Sequence, residues 1–216
     1  MTEEHSYIYA GGMLLRETIT SGSTTRTLDF RYDNIGYPYA LIYNNGSSTA
    51  TYYYITNLQG DVMYLVDSNG NQVAAYTYDP YGKILSATGA MAEINPLRYR
   101  GYYYDSETGF YYLQSRYYDP NTCRFINADS YASTGQGLMG YNMFAYCGNN
   151  PVNRDDQTGH FVREILEFFK TVVSETSKAV DVMAPAYAGF GGVAVADGPL
   201  PFGDAVALAG AALVTM

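Results

Sequence analysis

The chain has 216 residues, enough for one large β domain or a smaller domain with an appendage. It contains 25 tyrosines and no tryptophan, its charged residues make up 15% of the total, and its formal net charge is −9. An acidic chain with few Lys and Arg residues is a poor candidate for binding nucleic acid or an anionic membrane surface. His5 and His160 lie far apart and show no ligand spacing with Cys123 and Cys147, so we expect no zinc and no other cofactor. The sequence does not decide whether the two cysteines pair.

The N-terminal residues have no basic region followed by an apolar run, so we expect no signal peptide in this chain. Export by another route, or a position at the end of a longer protein, would both fit this feature. No stretch reaches the roughly 20 apolar residues that a membrane-spanning helix needs.

The first half of the chain predicts a series of antiparallel hairpins. Segments rich in tyrosine and β-branched residues flank short turns, a pattern typical of strands. Three of these turns fall at residues 11–12, 44–48 and 67–70, and a strand is predicted over 25–33. The prediction is therefore a mainly β fold.

The turns share a short repeat, in which the end of a strand is followed by Asp or Asn and then by Gly three or four places on. Asp and Asn start turns, and Gly supplies the positive φ that ends them. The spacing between repeats is irregular, which indicates stacked hairpins in one continuous sheet rather than a strict solenoid. The pairs are Asp33 and Gly36, Asn57 and Gly60, Asp67 and Gly70, Asp79 and Gly82, and Asp105 and Gly109.

The stretch from 98 to 129 is the most tyrosine-rich part of the chain. It predicts a strand over 102–105 and a second over 110–118, each running into a turn, with Cys123 where the earlier unit has Gly109. We expect the tyrosines to pack as cross-strand pairs, although a sugar-stacking surface would use the same residues. The arginines of this stretch could bind an anion, but we expect them to pair with acidic turn residues such as Asp105 and Asp119. They are Arg98, Arg100, Arg116 and Arg124.

Beyond Gly159 the pattern changes to helical periodicity. Apolar residues at helical spacing predict an amphipathic helix over 161–183, and Asp204 could cap a second helix over 205–216. The first helix could contact a membrane or a translocation partner, or could pack its apolar face on the sheet.

Two segments resemble a known family. Residues 98–129 contain Arg-Tyr-Arg-Gly-Tyr-Tyr-Tyr-Asp, then Gly-Phe-Tyr-Tyr-Leu-Gln-Ser-Arg-Tyr-Tyr-Asp-Pro and Arg-Phe-Ile-Asn-Ala-Asp. Together with residues 142–153, they resemble the Rhs repeat-associated core domain, and the upstream Tyr-Asp turns resemble YD repeats. The resemblance covers roughly residues 25–160. It implies YD-type hairpin repeats over 1–97, a core domain over 98–160 and a helical pre-toxin linker over 161–216.

The resemblance also implies a function. YD-repeat proteins wind a long sheet into a hollow cocoon, and the core domain closes its C-terminal end around or against a toxin. The implied partners are a C-terminal toxin that this chain lacks, its immunity protein and an upstream YD-repeat shell. The implied location is secreted or at the surface of a bacterium. About six hairpins cannot enclose a large cavity, so we expect this chain alone to form an open, curved sheet with exposed edges.

Many members of this family carry an aspartyl autoprotease at the end of the core domain. Their cleavage motif, Asp-Pro-x-Gly-Leu, is matched here by Asp156-Gln-Thr-Gly-His160, which keeps the Asp and the Gly but lacks the Pro and the Leu. Asp129 matches the other catalytic aspartate, and a cut is implied near Gly159, His160 and Phe161. Two close carboxyl groups can act as acid and base because one of them keeps its proton.

The resemblance implies two functions, and the tyrosines suggest a third. The first is a non-catalytic shell and delivery module, the second is an autoprotease that releases the C-terminal segment, and the third is a surface adhesin that binds glycans through tyrosines.

Overall fold

The computed structural model describes residues 2–129 and 142–160 together with the backbone of residues 163 and 164. All of them belong to one unit spanning Met1–Phe169. The predicted boundaries at 97/98 and 160/161 stay predictions. In the described part of the chain, no helix is long and apolar enough to span a membrane.

The first eight strands form one antiparallel sheet in which spatial order follows chain order. Each strand is joined to the next by a short turn, so the predicted hairpins and the mainly β fold are confirmed. The strands are β1 (Glu3–Ala10), β2 (Met13–Ser21), β3 (Thr24–Tyr32), β4 (Pro38–Asn44), β5 (Thr49–Thr56), β6 (Val62–Asp67), β7 (Gln72–Tyr78) and β8 (Ile84–Thr88).

The repeated Asp and Gly residues form the turns predicted for them. In the turn after β6, the side-chain Oδ1 of Asp67 accepts the backbone N–H groups of Asn69 and Asn71, at 2.8 and 2.9 Å. The N–H of Gly70 donates to the Asp67 carbonyl, and Gly70 has φ +82°, which only glycine adopts at little cost. The turns that begin at Asp33, Asn57 and Asp79 repeat these contacts.

One face of this sheet is buried. Alternate residues along the strands face the same side, and on that side they form an apolar core around Leu28, Phe30, Leu41 and Leu65. The segment that follows β8 completes the core with Met91, Ala92 and Leu97. In contrast, all eight residues of the terminal strand β1 are exposed, and in the described part of the chain β1 pairs with β2 alone.

A second antiparallel sheet follows in residues 98–129. It contains β9 (Tyr103–Asp105), β10 (Phe110–Leu113), β11 (Arg116–Asp119) and β12 (Arg124–Phe125), in spatial order 12, 11, 10, 9. We call the described residues of 98–129 and 142–160 the cap. The prediction of one strand over 110–118 is wrong, because the chain turns at Gln114, which has φ +58°. The turn lets Tyr111 pair with Tyr118 and Tyr112 with Tyr117.

Tyrosines form most of the cap's own core, as cross-strand packing predicted. Tyr99, Tyr111, Tyr118 and Tyr146 are each at most 2% exposed, and the rings of Tyr118 and Tyr146 lie 4.1 Å apart between centroids. The hydroxyl groups of Tyr99, Tyr111 and Tyr118 donate to backbone carbonyls, and that of Tyr146 lies 3.2 Å from the Tyr102 hydroxyl. Tyrosine fits here because it buries a ring and still makes a hydrogen bond.

This core should make the fold sensitive to alkaline pH. Burial raises the pKa of Tyr99 to about 12, above its ordinary value of 10.0. Only the neutral phenol of Tyr99 is stable in the buried core. Its contribution to the free energy of unfolding is therefore complete below pH 10 and is lost as the pH rises through the folded-state pKa. We expect cooperative unfolding between these values, with circular dichroism and tyrosinate absorbance changing together. Ionisation of all the tyrosines near pH 10, the buried ones included, with no loss of structure would contradict this.

Cys123 lies in the turn that joins β11 to β12, at the position where the sequence repeat favours glycine. Its φ is +60°, a left-handed conformation that costs a non-glycine residue about 1–2 kcal/mol. Cys123→Gly should therefore raise the free energy of unfolding in urea by about 0.5–1 kcal/mol, after the entropic cost of glycine. Cys123→Ala is the control, since it removes the thiol but keeps the strained backbone and should give no such gain. Both Cys123 and Cys147 are free thiols in the structure.

The last described strands are β13 (Arg154–Asp155) and β14 (Arg163–Glu164), which pair antiparallel. At these two β14 residues the predicted helix over 161–183 is wrong, because backbone pairing with β13 replaces the helical hydrogen bonds. The rest of that helix and the helix predicted over 205–216 lie outside the described residues.

Candidate functional site

A buried arginine lies at the centre of the candidate site. Arg116 is the first residue of β11, follows the turn at Gln114 and is 5% exposed. Its guanidinium group packs against the Phe125 ring, with 3.6 Å from Cζ to the ring centroid. It donates through Nη1 to the Met143 carbonyl at 2.9 Å, and through Nε to the Gly159 carbonyl. Arg116 therefore ties strand β11 to two distant parts of the cap.

Two carboxyl groups meet the same nitrogen of this arginine. Nη2 of Arg116 lies 2.9 Å from Oδ2 of Asp129 and 3.6 Å from Oδ2 of Asp156. Asp129 is 8% exposed and Asp156 is 1% exposed. The two aspartates singled out in the sequence therefore do come together, although a cation lies against both of them.

Backbone contacts position each aspartate. The Asp129 N–H donates to the Met143 carbonyl at 3.0 Å. The Tyr102 hydroxyl donates to the Asp156 carbonyl at 3.0 Å. These bonds explain why residues distant in sequence reach the same place.

The segment that follows Asp156 folds back over the site. The His160 N–H donates to Oδ1 of Asp156 at 3.0 Å, and the His160 ring nitrogen Nδ1 lies 3.0 Å from Oδ1 of Asp129. Ser115 Oγ donates to the Thr158 carbonyl at 2.6 Å. The peptide bond between Gly159 and His160 thus has its oxygen on Arg116 and its nitrogen on Asp156. Phe161, the third residue of the predicted cleavage region, lies outside the described residues.

Burial and neighbouring charges have opposite effects on the pKa of Arg116. Desolvation lowers the pKa of Arg116, while the neighbouring Asp129 and Asp156 act in the opposite direction. A charged guanidinium group can polarise a carbonyl oxygen in such a low-dielectric place, and two carboxyl groups can exchange protons with a nearby peptide bond.

The sequence did not indicate this role for Arg116. The predicted pairing of Arg116 with acidic residues is found, but its partners are Asp129 and Asp156 and not Asp105 or Asp119. Both of those side chains accept hydrogen bonds within their own turns. An arginine followed directly by two tyrosines inside a predicted strand is the one signal that could have suggested burial.

Two further arginines of the cap are also buried. Arg98 donates to the Ala92 carbonyl at 3.0 Å and lies 4.5 Å from the Tyr104 ring centroid. Arg100 lies 3.5 Å from Asp61 through Nε, and its Nη1 donates to the Gln59 carbonyl at 2.9 Å. In residues 2–129 and 142–160, no group of His, Cys, Asp and Glu side chains could hold a metal ion.

Comparison with known proteins identifies the family. Residues 3–152 match the family model described as Teneurin YD-shell. The match covers more than half of the chain, so the chain belongs to this family, and the predicted Rhs/YD-repeat shell is confirmed.

Curated relatives share this segment. The tRNA3(Ser)-specific nuclease WapA of Bacillus spizizenii is 37% identical over 161 residues, which are 73% of this chain and 7% of the relative. The tRNA nuclease WapA of Bacillus subtilis strain 168 is 42% identical over 113 residues, which are 51% of this chain and 5% of the relative. The chain therefore spans less than a tenth of the length of either protein.

A solved structure has the same fold. The crystal structure of TcdB2-TccC3 without its hypervariable C-terminal region superposes with a TM-score of 0.57 at 22% identity. The match covers 73% of this chain and 8% of the other.

Proposed function

We propose that this chain is the C-terminal end of a YD-repeat shell, a non-catalytic module that encapsulates or presents a toxin following it in the complete protein. The observation that carries the proposal is the way the cap holds residues 158–160, which we call the exit segment. Arg116, Ser115 and Asp156 bind the backbone of residues 158–160, so the polypeptide is anchored as it leaves the cap. A shell that presents a following segment needs the last residues of its cap to be held in a fixed position.

Two further features support this function. The exposed edge of β1 offers unpaired backbone groups to a preceding hairpin, as expected for the last part of a longer sheet. The two WapA relatives are named as tRNA nucleases, and each is more than ten times longer than the matched segment. In this proposal the complete protein is a secreted or surface protein of bacterial competition, and its partners are a toxin, an immunity protein and the upstream shell.

A chimera tests this function. In WapA of Bacillus spizizenii, the matched segment is replaced by the corresponding residues of this chain, and tRNA cleavage is measured in sensitive recipient bacteria. The proposal predicts that the chimera stays active, whereas deletion of the segment abolishes activity. An exported chimera that is no more active than the deletion would contradict the proposal.

A second candidate function is self-cleavage between Gly159 and His160, which the positions of Asp129 and Asp156 favour. Asp129, ionised, takes a proton from a water molecule whose oxygen bonds to the Gly159 carbonyl carbon. Arg116 stabilises the negative charge on the carbonyl oxygen. Asp156, protonated, gives its proton to the His160 nitrogen as the carbon–nitrogen bond breaks. One water is consumed, leaving a carboxyl group on Gly159 and an amino group on His160.

Cleavage is tested by expressing the chain with a tag after Met216 and measuring the intact mass. A fragment beginning at His160 should appear, and its rate should show a bell-shaped pH profile, because Asp129 must be ionised while Asp156 carries a proton. Asp129→Asn and Asp156→Asn should each abolish it, while Glu107→Gln, which changes an exposed acid elsewhere in the cap, should not. An uncut chain under all conditions would remove this function without affecting the shell proposal.

A further inference from the structure

A groove of about 750 Å³ lies between β1 and the cap, and none of its lining residues takes part in the Arg116 site. One wall is formed by alternate residues of β1, which share a face because side chains alternate along a strand. They are Glu3, His5, Tyr7 and Tyr9. Their rings form a row, with centroids 6.3 Å apart from His5 to Tyr7 and 6.4 Å apart from Tyr7 to Tyr9.

The opposite wall has the same chemistry. Tyr112 of β10 and Tyr117 of β11 contribute two rings. Asp105, the last residue of β9, and Glu107, in the turn that follows it, contribute carboxyl groups. Tyr117 is 42% exposed, so its ring is available to a ligand. No Lys or Arg side chain lines the groove in the part of the chain that the structure describes. Glu3 is paired with Arg26, whose Nη2 lies 2.7 Å from its carboxylate oxygen. The groove is therefore aromatic, and Asp105 and Glu107 supply the negative charge that a ligand would meet.

Inside the same molecule, comparable surroundings hold guanidinium groups. Arg98 lies over the Tyr104 ring at 4.5 Å, and Arg100 lies over the Tyr99 ring at 5.2 Å, each with oxygen acceptors around its nitrogens. An aromatic face and an oxygen acceptor together are favourable for arginine because the planar group can stack and donate at once. The groove offers both and contains no arginine of its own.

The spacing indicates how a ligand would lie. Alternate residues of an extended peptide are separated by about 6.6–6.8 Å, close to the spacing of the rings along β1. We propose that the groove binds an extended peptide segment of a partner protein that carries arginines at alternate positions. Each arginine stacks on a tyrosine and pairs with a carboxylate of the opposite wall.

The probe is a fluorescein-labelled peptide of alternating Arg and Ser, titrated with the 216-residue chain and followed by fluorescence anisotropy. Two peptides of equal charge serve as comparisons, one with Lys in place of Arg and one with the arginines grouped together. We expect the alternating arginine peptide to bind about threefold to fivefold more tightly than the lysine peptide, the difference that stacking on exposed rings provides. It should also bind more tightly than the grouped peptide.

Variants separate the groove from general charge attraction. Tyr9→Ala and Glu107→Gln should each weaken binding, while circular dichroism shows the fold unchanged. Glu4→Gln removes the same charge from the other face of β1 and should have no measurable effect. Equal weakening by Glu4→Gln, or equal affinity for the three peptides, would overturn the proposal. Binding of a neutral oligosaccharide that Tyr9→Ala abolishes, without arginine peptide binding, would overturn it in favour of a glycan site.

Discussion

Replacing Arg116 with methionine should lower the free energy of unfolding by about 3–5 kcal/mol, the range found when one partner of a buried ion pair is removed. Methionine keeps most of the side chain's bulk next to Phe125. It leaves the Asp129 and Asp156 carboxylates without their cation, and the Met143 and Gly159 carbonyls without their donor. Urea unfolding monitored by circular dichroism measures the effect.

The control is Arg124→Met. Arg124 is in the adjacent strand β12 and is exposed, so the same change should alter stability by no more than about 0.5 kcal/mol. Adding Asp129→Asn and Asp156→Asn to Arg116→Met should recover part of the loss, because neutral side chains cost less to bury. If Arg116→Met has no larger effect than Arg124→Met, the guanidinium group does not hold the cap together.

Gly82→Ala should be the most damaging substitution in the repeated turns. Gly82 has φ +86°, and a Cβ at this position would lie 2.5 Å from Cδ1 of Tyr99. Tyr99 is 2% exposed at the centre of the tyrosine core, so its ring can shift only by disturbing its neighbours. We expect a loss of about 1–2 kcal/mol from the backbone conformation and about 1–3 kcal/mol more from overpacking.

Gly70→Ala separates these two contributions. Gly70 occupies the same position in its turn with φ +82°, but no atom lies within 4 Å of the added Cβ. It should therefore show only the backbone cost in the same urea titration. Equal losses for the two variants would mean that the turns are independent of the tyrosine core.

Local chemistry made much of the large sheet predictable. The hydrogen bonds of each turn join residues that are within five positions of each other in the chain. The Asp and Gly residues that make the turn can therefore be recognised in the sequence. The turn at Gln114 was missed because no glycine, proline or aspartate marks it, and a glutamine has to take the left-handed conformation. Tertiary contacts explain this exception, since the neighbouring Ser115 binds Thr158.

The candidate site depended on contacts that no local pattern reveals. Asp129 and Asp156 were found only through the resemblance to a family, because their spacing in the chain carries no signal. Two of the four partners of Arg116 are backbone carbonyls that lie 27 and 43 residues away, and every residue has such a carbonyl. The sequence does not reveal which distant backbone carbonyl will accept a hydrogen bond from a given side chain.

The most direct test of the account is a double-mutant cycle between Arg116 and Asp156. Arg116→Met, Asp156→Asn and the double variant are unfolded in urea and compared with the unchanged chain. If one buried guanidinium group fastens the exit segment to β11, the two changes should be coupled by more than about 1 kcal/mol. Additivity to within about 0.5 kcal/mol would show that the two residues act independently and would contradict the account.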